Sequence, residues 1–448
     1  MIKTTFFKHL HYIINRKTFF KGSALLAGTT VLSYALGLVR DRQFAQLFGA
    51  SSTLDAYNAA FIVPDLILNI FVAGALSAAF IPLFTELFTR GQNDEASEFT
   101  NSVLNSGLVV VLGVGTLACV FAPWISHFIV PGFDDASRAT FVNLMRILLI
   151  SPILFAISNT LGGILVSHER FFWYGLSAAL YNLGIIAGTF FLAPHIGIYG
   201  AGVGALIGAL LHLIPRLVAA WRFISYRPHI AFNSHFRSFI RLMLPKMAGH
   251  PIEQLTFFGF TAIASTLGSG AIVILNFARN FQSAPVNIIG ATFALTAFPS
   301  LSRSATERNT ADFRQRTRIV ALAILGTTML AGLVIYLIRN PLIALLLGGG
   351  AFGSDAIART AATLGVFTLS IPTESVSHLL ARSFYALKNS LTPTLISIGG
   401  LAVALGTGYL FAKTWGVPGL ALGFFAGSLV KIILLWFLLQ REIRSRLP

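Results

Sequence analysis

Residues 22–42 read GSALLAGTTVLSYALGLVRDR, eighteen uncharged residues running straight into Arg40, Asp41 and Arg42. An apolar stretch of roughly that length crosses the hydrocarbon core of a bilayer as a helix. Charges near membrane depth cost about 2.5–3.5 kcal/mol each at a helix centre unless they face water or one another. The segment therefore predicts a membrane-spanning helix with a functional charged end. Outward from it the pattern recurs along all 448 residues, of which 55% are hydrophobic and 11% charged, and the mean hydropathy is +0.77. That composition predicts an all-α integral membrane protein and leaves no stretch for a separate soluble domain. Forty Phe and 40 Gly suit helices that meet lipid with large side chains and one another with small ones.

The formal charge of +16 would suggest a nucleic-acid partner in a soluble chain. Here most Lys and Arg lie in short connections between apolar runs, where the basic excess of cytoplasmic loops accounts for them. No nucleic-acid partner is expected. Cys119, the single cysteine, excludes an intrachain disulfide and argues against a thiolate metal site. The basic start continues into the first run without a small-residue cleavage pattern, so residues 1–21 read as a retained tail.

The runs predict twelve helices near 22–49, 55–88, 100–128, 137–166, 171–193, 198–224, 236–267, 271–302, 315–346, 356–386, 391–412 and 417–440. Connections 89–99, 167–170, 222–241, 303–318, 388 and 441–446 hold nearly all the loop Lys and Arg, whereas 50–54, 129–136, 194–197, 268–270 and 347–355 hold none. Both termini are therefore expected in the cytoplasm. The longest polar connection divides the chain into a basic tail (1–21), an N-lobe of helices one to six (22–224), a cytoplasmic linker (225–235), a C-lobe of helices seven to twelve (236–440) and a short tail (441–448). The two lobes read as a parallel repeat: Gly197/Gly416, Gly200/Gly419, Gly204/Gly423, Gly208/Gly427 and Gly49/Gly268 are each 219 residues apart. A transporter of two six-helix lobes follows as the expected architecture.

Transport between two lobes needs a wet cavity, and polar residues at membrane depth are the candidates for its lining. The first two helices offer Arg40, Asp41, Arg42, Asp55, Asp65 and Asn69; the seventh, eighth and tenth offer Lys246, His250, Glu253, Arg279, Asn280, Glu374, His378 and Arg382. Arginine presents a planar fork of donors suited to phosphate oxygens. Each residue also has a structural reading. Arg40-Asp41-Arg42 fits a juxtamembrane charge cluster, Asp55 an N-cap of the second helix, and Asp65 a partner for donors freed at Pro64. Lys246, His250 and Glu253 share a helix face and neutralise one another as readily as they bind an ion. Glu374, His378 and Arg382 form either a proton relay or an ion-pair ladder. Arg279 has no charged neighbour on its own helix, which favours a cavity role. There is no HExxH, Walker A, GxSxG or Cys/His metal spacing, so neither an enzyme nor an autonomous ATPase is expected. No cofactor is expected; energy would come from a sodium or proton gradient or the membrane potential.

The stretches 33-SYALGLVRDRQFAQLFGASSTLDAYNAAFIVPDL-66, 70-IFVAGALSAAFIPLFTE-86 and 382-RSFYALKNSLTP-393 give the chain a resemblance to the MurJ/MviN family, the lipid II flippases of the multidrug/oligosaccharidyl-lipid/polysaccharide exporter superfamily. The resemblance implies a bacterial inner-membrane protein of two rocking six-helix lobes, with a cationic cavity for a pyrophosphate-linked sugar-peptide headgroup while the polyprenyl tail stays in lipid. Arg40 and Asp41 fall on the family's intramembrane Arg-Asp, and Asp55 on its acidic residue at the start of the second helix. The chain departs from the pattern at Tyr34 and Asn69, where the family has Arg, and at Ala73, where it has Glu. Its eighth-helix Arg aligns with Asn280, and Arg279 stands one position earlier. After 441-REIRSRLP-448 the family's two further helices are absent, so the tail is expected to meet the bilayer directly, or the substrate to differ. Three functions stay open: a flippase using Arg40, Asp41, Arg42, Asp55, Asn69, Arg279 and Asn280; an exporter of another lipid-linked oligosaccharide or an organic cation; and a non-transporting scaffold for cell-wall synthesis proteins.

Overall fold

The computed structural model describes residues 2–70, 79–249 and 252–446, with side chains described from residue 25 onward except at 244–249, 253 and 446. Among these residues every regular element is a helix: α1 Ile2–Phe48, α2 Ser52–Ala60, α3 Ile62–Leu68, α4 Ile81–Thr89, α5 Asn93–Val120, α6 Ala122–Ile129 and α7 Asp135–Leu148. There follow α8 Ser151–Ser167, α9 Phe171–Ile196, α10 Ile198–Ala220, α11 Ser234–Gly249, α12 Ile252–Ser265, α13 Ala271–Pro285 and α14 Thr292–Thr306. The last are α15 Thr310–Leu347, α16 Ser354–Phe367, α17 Ser370–Ala386, α18 Leu391–Trp415 and α19 Val417–Arg446. Among the described residues, eight helical segments are long and apolar enough to cross a membrane. Large apolar side chains such as Val109, Phe190, Phe191 and Leu345 stand exposed on them, as lipid-facing surfaces require.

The expected runs 55–88, 100–128, 137–166 and 356–386 are not continuous helices. They are interrupted at Phe61, Phe121, Leu149–Ile150 and Thr368–Leu369, each just before a proline: Pro64, Pro123, Pro152 and Pro372. Proline lacks the amide donor and its ring crowds the preceding turn, which explains the interruptions. Between α13 and α14 a π-helical turn, Val286–Ala291, follows Pro285.

Two hairpins 219 residues apart share one turn. Gly197 joins α9 to α10 at φ 59°, ψ −139°, and Gly416 joins α18 to α19 at φ 64°, ψ −139°, a region that only glycine enters cheaply. Inside the hairpins glycines let the backbones touch: a methyl group at Gly188 would overlap the backbone of Gly204, and one at Gly423 the backbone of Gly408. Such small-residue seams let dispersion hold helices together where lipid supplies no hydrophobic drive.

The chain forms two compact units, Met1–Gln43 with Ala60–Ile125 and Thr140–Pro251, and Phe44–Ala59 with Ser126–Ala139 and Ile252–Pro448. In the first unit Phe80 stacks between Phe84 and Phe99, ring centroids 5.5 Å away on either side, and Phe99 meets Phe239 of α11. The second unit packs α14, α15, α17 and α19 around Leu301, Phe313, Ile324, Leu379, Phe384 and Leu439. In its loop before α7, the Ser137 hydroxyl and then the Ser137 amide, which donates at 2.8 Å, hold the Asp134 carboxyl below the usual carboxylate range.

Candidate functional site

In the first unit, Arg40 lies half-buried in α1 with its fork directed at two partners. Nη2 and Nε donate to Asp41 Oδ1 at 2.8 and 3.0 Å, and Nη1 donates to Asn182 Oδ1 of α9 at 3.0 Å. Asn182 returns to α1 by donating to the Ser33 carbonyl and hydroxyl. Asp41 is buried, whereas the Arg40 side chain keeps 25% of its surface exposed. The charge that the apolar run delivers is thus neutralised beside itself and oriented, yet reachable. Arg42, two residues beyond Arg40, is exposed. Asn69 donates to the Asp65 carbonyl at 2.9 Å, and Asp65 is itself exposed. Ala73 and His250 lie outside the described residues, as do the side chains of Lys246 and Glu253.

Arg216 of α10, only 3% exposed, was not among the residues singled out from the sequence. It donates to Ser177 Oγ, Asn159 Oδ1 and the carbonyls of Ser158 and Tyr174, and lies 4.6 Å from the Tyr174 ring centroid. One turn away His212 Nδ1 hydrogen-bonds the Ser158 hydroxyl at 2.8 Å. These bonds join α8, α9 and α10, which is what a buried guanidinium needs in order to be tolerated.

In the second unit, Asp55 is 1% exposed and does not cap its own helix; Ser51 Oγ accepts the Leu54 amide there. The Asp55 carboxylate instead takes the Gly270 amide at 2.6 Å and the Val273 amide at 2.8 Å, closing the N-terminus of α13. Free amides and the positive end of the helix dipole make that terminus a seat for a carboxylate. Close by, the Ala351 amide donates to the Gln46 carbonyl at 2.8 Å, Gln46 Nε2 reaches the Gly348 carbonyl at 3.4 Å, and the Gly132 amide meets Ser265 Oγ at 3.1 Å. A Cβ at Gly49 would strike the Ala351 carbonyl, and one at Gly270 the Ala50 carbonyl. Connections free of Lys and Arg are thereby knitted into one body.

Arg279 of α13 places its guanidinium carbon 3.3 Å from the centroid of Phe257 in α12; a cation over a ring face is held by the quadrupole. Asn280 is exposed. Glu374 faces Lys431 of α19 at 3.4 Å, a partner that a reading confined to its own helix does not supply. Two turns beyond Glu374, Arg382 Nη1 donates to the His378 carbonyl at 3.2 Å. Thr373 and Ser428 share a 2.6 Å bond beside the Glu374–Lys431 pair.

The family model described as lipid II flippase MurJ matches residues 44–446. The lipid II flippase MurJ of Burkholderia cenocepacia is 26% identical over 438 residues, covering 94% of this chain and 84% of the relative. The probable lipid II flippase MurJ of Thermotoga maritima is 27% identical, covering 88% and 80%. Among solved structures, a lipid II flippase MurJ in an inward closed conformation superposes with a TM-score of 0.79 at 24% identity, covering 94% of this chain and 90% of its own. An inward-facing multidrug resistance MATE transporter gives 0.78 at 15% identity, covering 92% and 95%. The structural likenesses establish a fold common to both kinds of transporter.

Proposed function

Because the chain belongs to the MurJ family of lipid II flippases, we propose that it moves a polyprenyl-pyrophosphate-linked peptidoglycan precursor from the cytoplasmic to the outer leaflet. It is a multi-pass membrane transporter of the bacterial inner membrane and not an enzyme. The observation that carries the substrate is the family match across residues 44–446.

Twelve spans in two six-helix lobes, with both termini cytoplasmic, are the arrangement we favour; the repeated glycine hairpins and the alternation of basic and uncharged connections support it. Arg40 is the headgroup residue of the first unit, since its fork is oriented by Asp41 and Asn182 and remains exposed. Arg279 is the corresponding candidate of the second unit, with Arg42, Asn69 and Asn280 contributing donors. Asp55, through the Gly270 and Val273 amides, closes the side free of Lys and Arg during alternating access. The driving energy is a sodium or proton gradient or the membrane potential, with Glu374, His378 and Arg382 as the coupling candidates. Cell-wall synthesis proteins would dock on the basic cytoplasmic connections.

Export of an organic cation on the same fold would call for carboxylates directed at the cargo. Asp41 is paired with Arg40, Asp55 with two amides and Glu374 with Lys431, which favours an anionic headgroup. Depleting the resident flippase of a bacterium while expressing this chain tests the reading. Growth should be restored; lysis at the rate of the empty-vector cells, with the protein present in the membrane, would overturn it.

A further inference from the structure

The segment between α10 and α11 lies along the start of α5 as a strap held at every stage of its course. At its beginning Phe223 stacks on His168, ring centroids 3.9 Å apart, and Phe88 meets the same imidazole at 4.3 Å. Next, Ser97 Oγ donates to the Ser225 carbonyl at 3.1 Å and accepts the Ser225 amide at 3.2 Å, while Asn101 Nδ2 reaches the same carbonyl at 2.8 Å. Asn105 Nδ2 donates to the carbonyls of Arg227 and His229, both at 2.9 Å, and Ser102 Oγ accepts the Ala231 amide at 2.9 Å. At its end Asn233 donates to Glu98 at 3.2 Å, His235 pairs with Glu95 at 3.3 Å, and Phe239 packs edge-on against Phe99.

Ser97, Asn101 and Asn105 follow one another four residues apart, so a single face of α5 carries the ladder. It reads main chain, as a neighbouring strand would, and binds backbone groups that would otherwise be left to water. An untethered connection of polar residues has neither these bonds nor a reason for α5 to present amides and hydroxyls at that spacing. The whole strap and α11 belong to the same compact unit as α5.

We propose that this connection is a fixed strap, docked on α5 throughout the transport cycle, rather than the flexible joint that its length and polarity suggest. The inference extends the proposed flippase activity by placing the moving joint elsewhere than in 222–235. Its tests have one readout that needs transport and one that does not. In a Cys119→Ser background, Ser97→Cys with Ser225→Cys is joined by a short, reducible bis-methanethiosulfonate reagent, and lipid movement is followed in proteoliposomes. The cross-linked protein should move lipid at the rate of its reduced form; a tenfold or greater loss that reductant reverses would overturn the proposal. Independently, hydrogen exchange should find the Ser225 and Ala231 amides protected, and Asn101→Ala with Asn105→Ala should speed their exchange at least about tenfold. Exchange at the open-chain rate in the native protein would also overturn it. Should no form of the protein move lipid, the flippase reading falls and the exchange result alone decides the strap.

Discussion

Replacing Arg40 with alanine is expected to abolish rescue of a flippase-depleted bacterium while the protein still reaches the membrane. A diphosphate bound by a guanidinium gains charge-assisted hydrogen bonds of about 1.5–3 kcal/mol each, so losing them slows transport by roughly tenfold to more than a hundredfold. The single substitution also takes from the buried Asp41 its two bonds to that guanidinium, and weakening the surroundings of a buried carboxylate destabilises the helix end. Arg40→Ala combined with Asp41→Asn removes that complication. The double variant should be present at the native level and still fail to rescue. Arg40→Lys keeps the charge but not the fork, and should rescue weakly. Full growth of cells carrying the Ala/Asn protein would remove Arg40 from the transport path.

Asp55→Ala should have the second largest effect, exerted on the resting state rather than on headgroup binding. Losing a helix cap costs about 0.5–2 kcal/mol, and losing a carboxylate at the positive end of a helix about 0.3–1 kcal/mol more. Together these favour opening of the contact between turn 49–55 and residues 270–273 by roughly tenfold. The check is an Ala50→Cys reporter in a Cys119→Ser background, labelled by a membrane-impermeant maleimide in native and Asp55→Ala proteins. Labelling should accelerate about tenfold in the variant, and Asp55→Asn, which keeps one acceptor, should fall between. Equal rates in all three would separate Asp55 from any gating role.

Apolar length made the helices readable, because membrane spanning demands it of each segment separately. The glycine spacing was readable for the same local reason: Gly197 and Gly416 answer to their own turns, and Gly204 and Gly423 to the adjacent helix of their own hairpins. Where spans broke, the prolines were visible at 64, 123, 152 and 372, but a hydropathy count passes over them. Partners were harder. The amides bonded to Asp55 lie 215 and 218 residues away, so its own neighbourhood suggested a local cap that Ser51 in fact provides. Glu374 has a ring four residues on, yet its ammonium partner is on α19, 57 residues distant. Lys431 and Arg216 each stood alone in an apolar run, and that solitude was the available signal. Nor does composition show that a polar connection is docked: the Ser and Asn ladder of α5 became meaningful only once the strap lay across it.

The most direct test uses the purified protein in proteoliposomes containing a fluorescent lipid II analogue, with headgroup exposure read over time by a membrane-impermeant modifying reagent. Native protein should bring inner-leaflet headgroups into reach of the reagent, and the Arg40→Ala/Asp41→Asn protein should leave them shielded. Exposure no faster with native protein than in protein-free vesicles, under an imposed potential and with sodium or proton gradients in either direction, would contradict the proposed flipping. Equal exposure by the native and double-variant proteins would contradict the assignment of the diphosphate to Arg40.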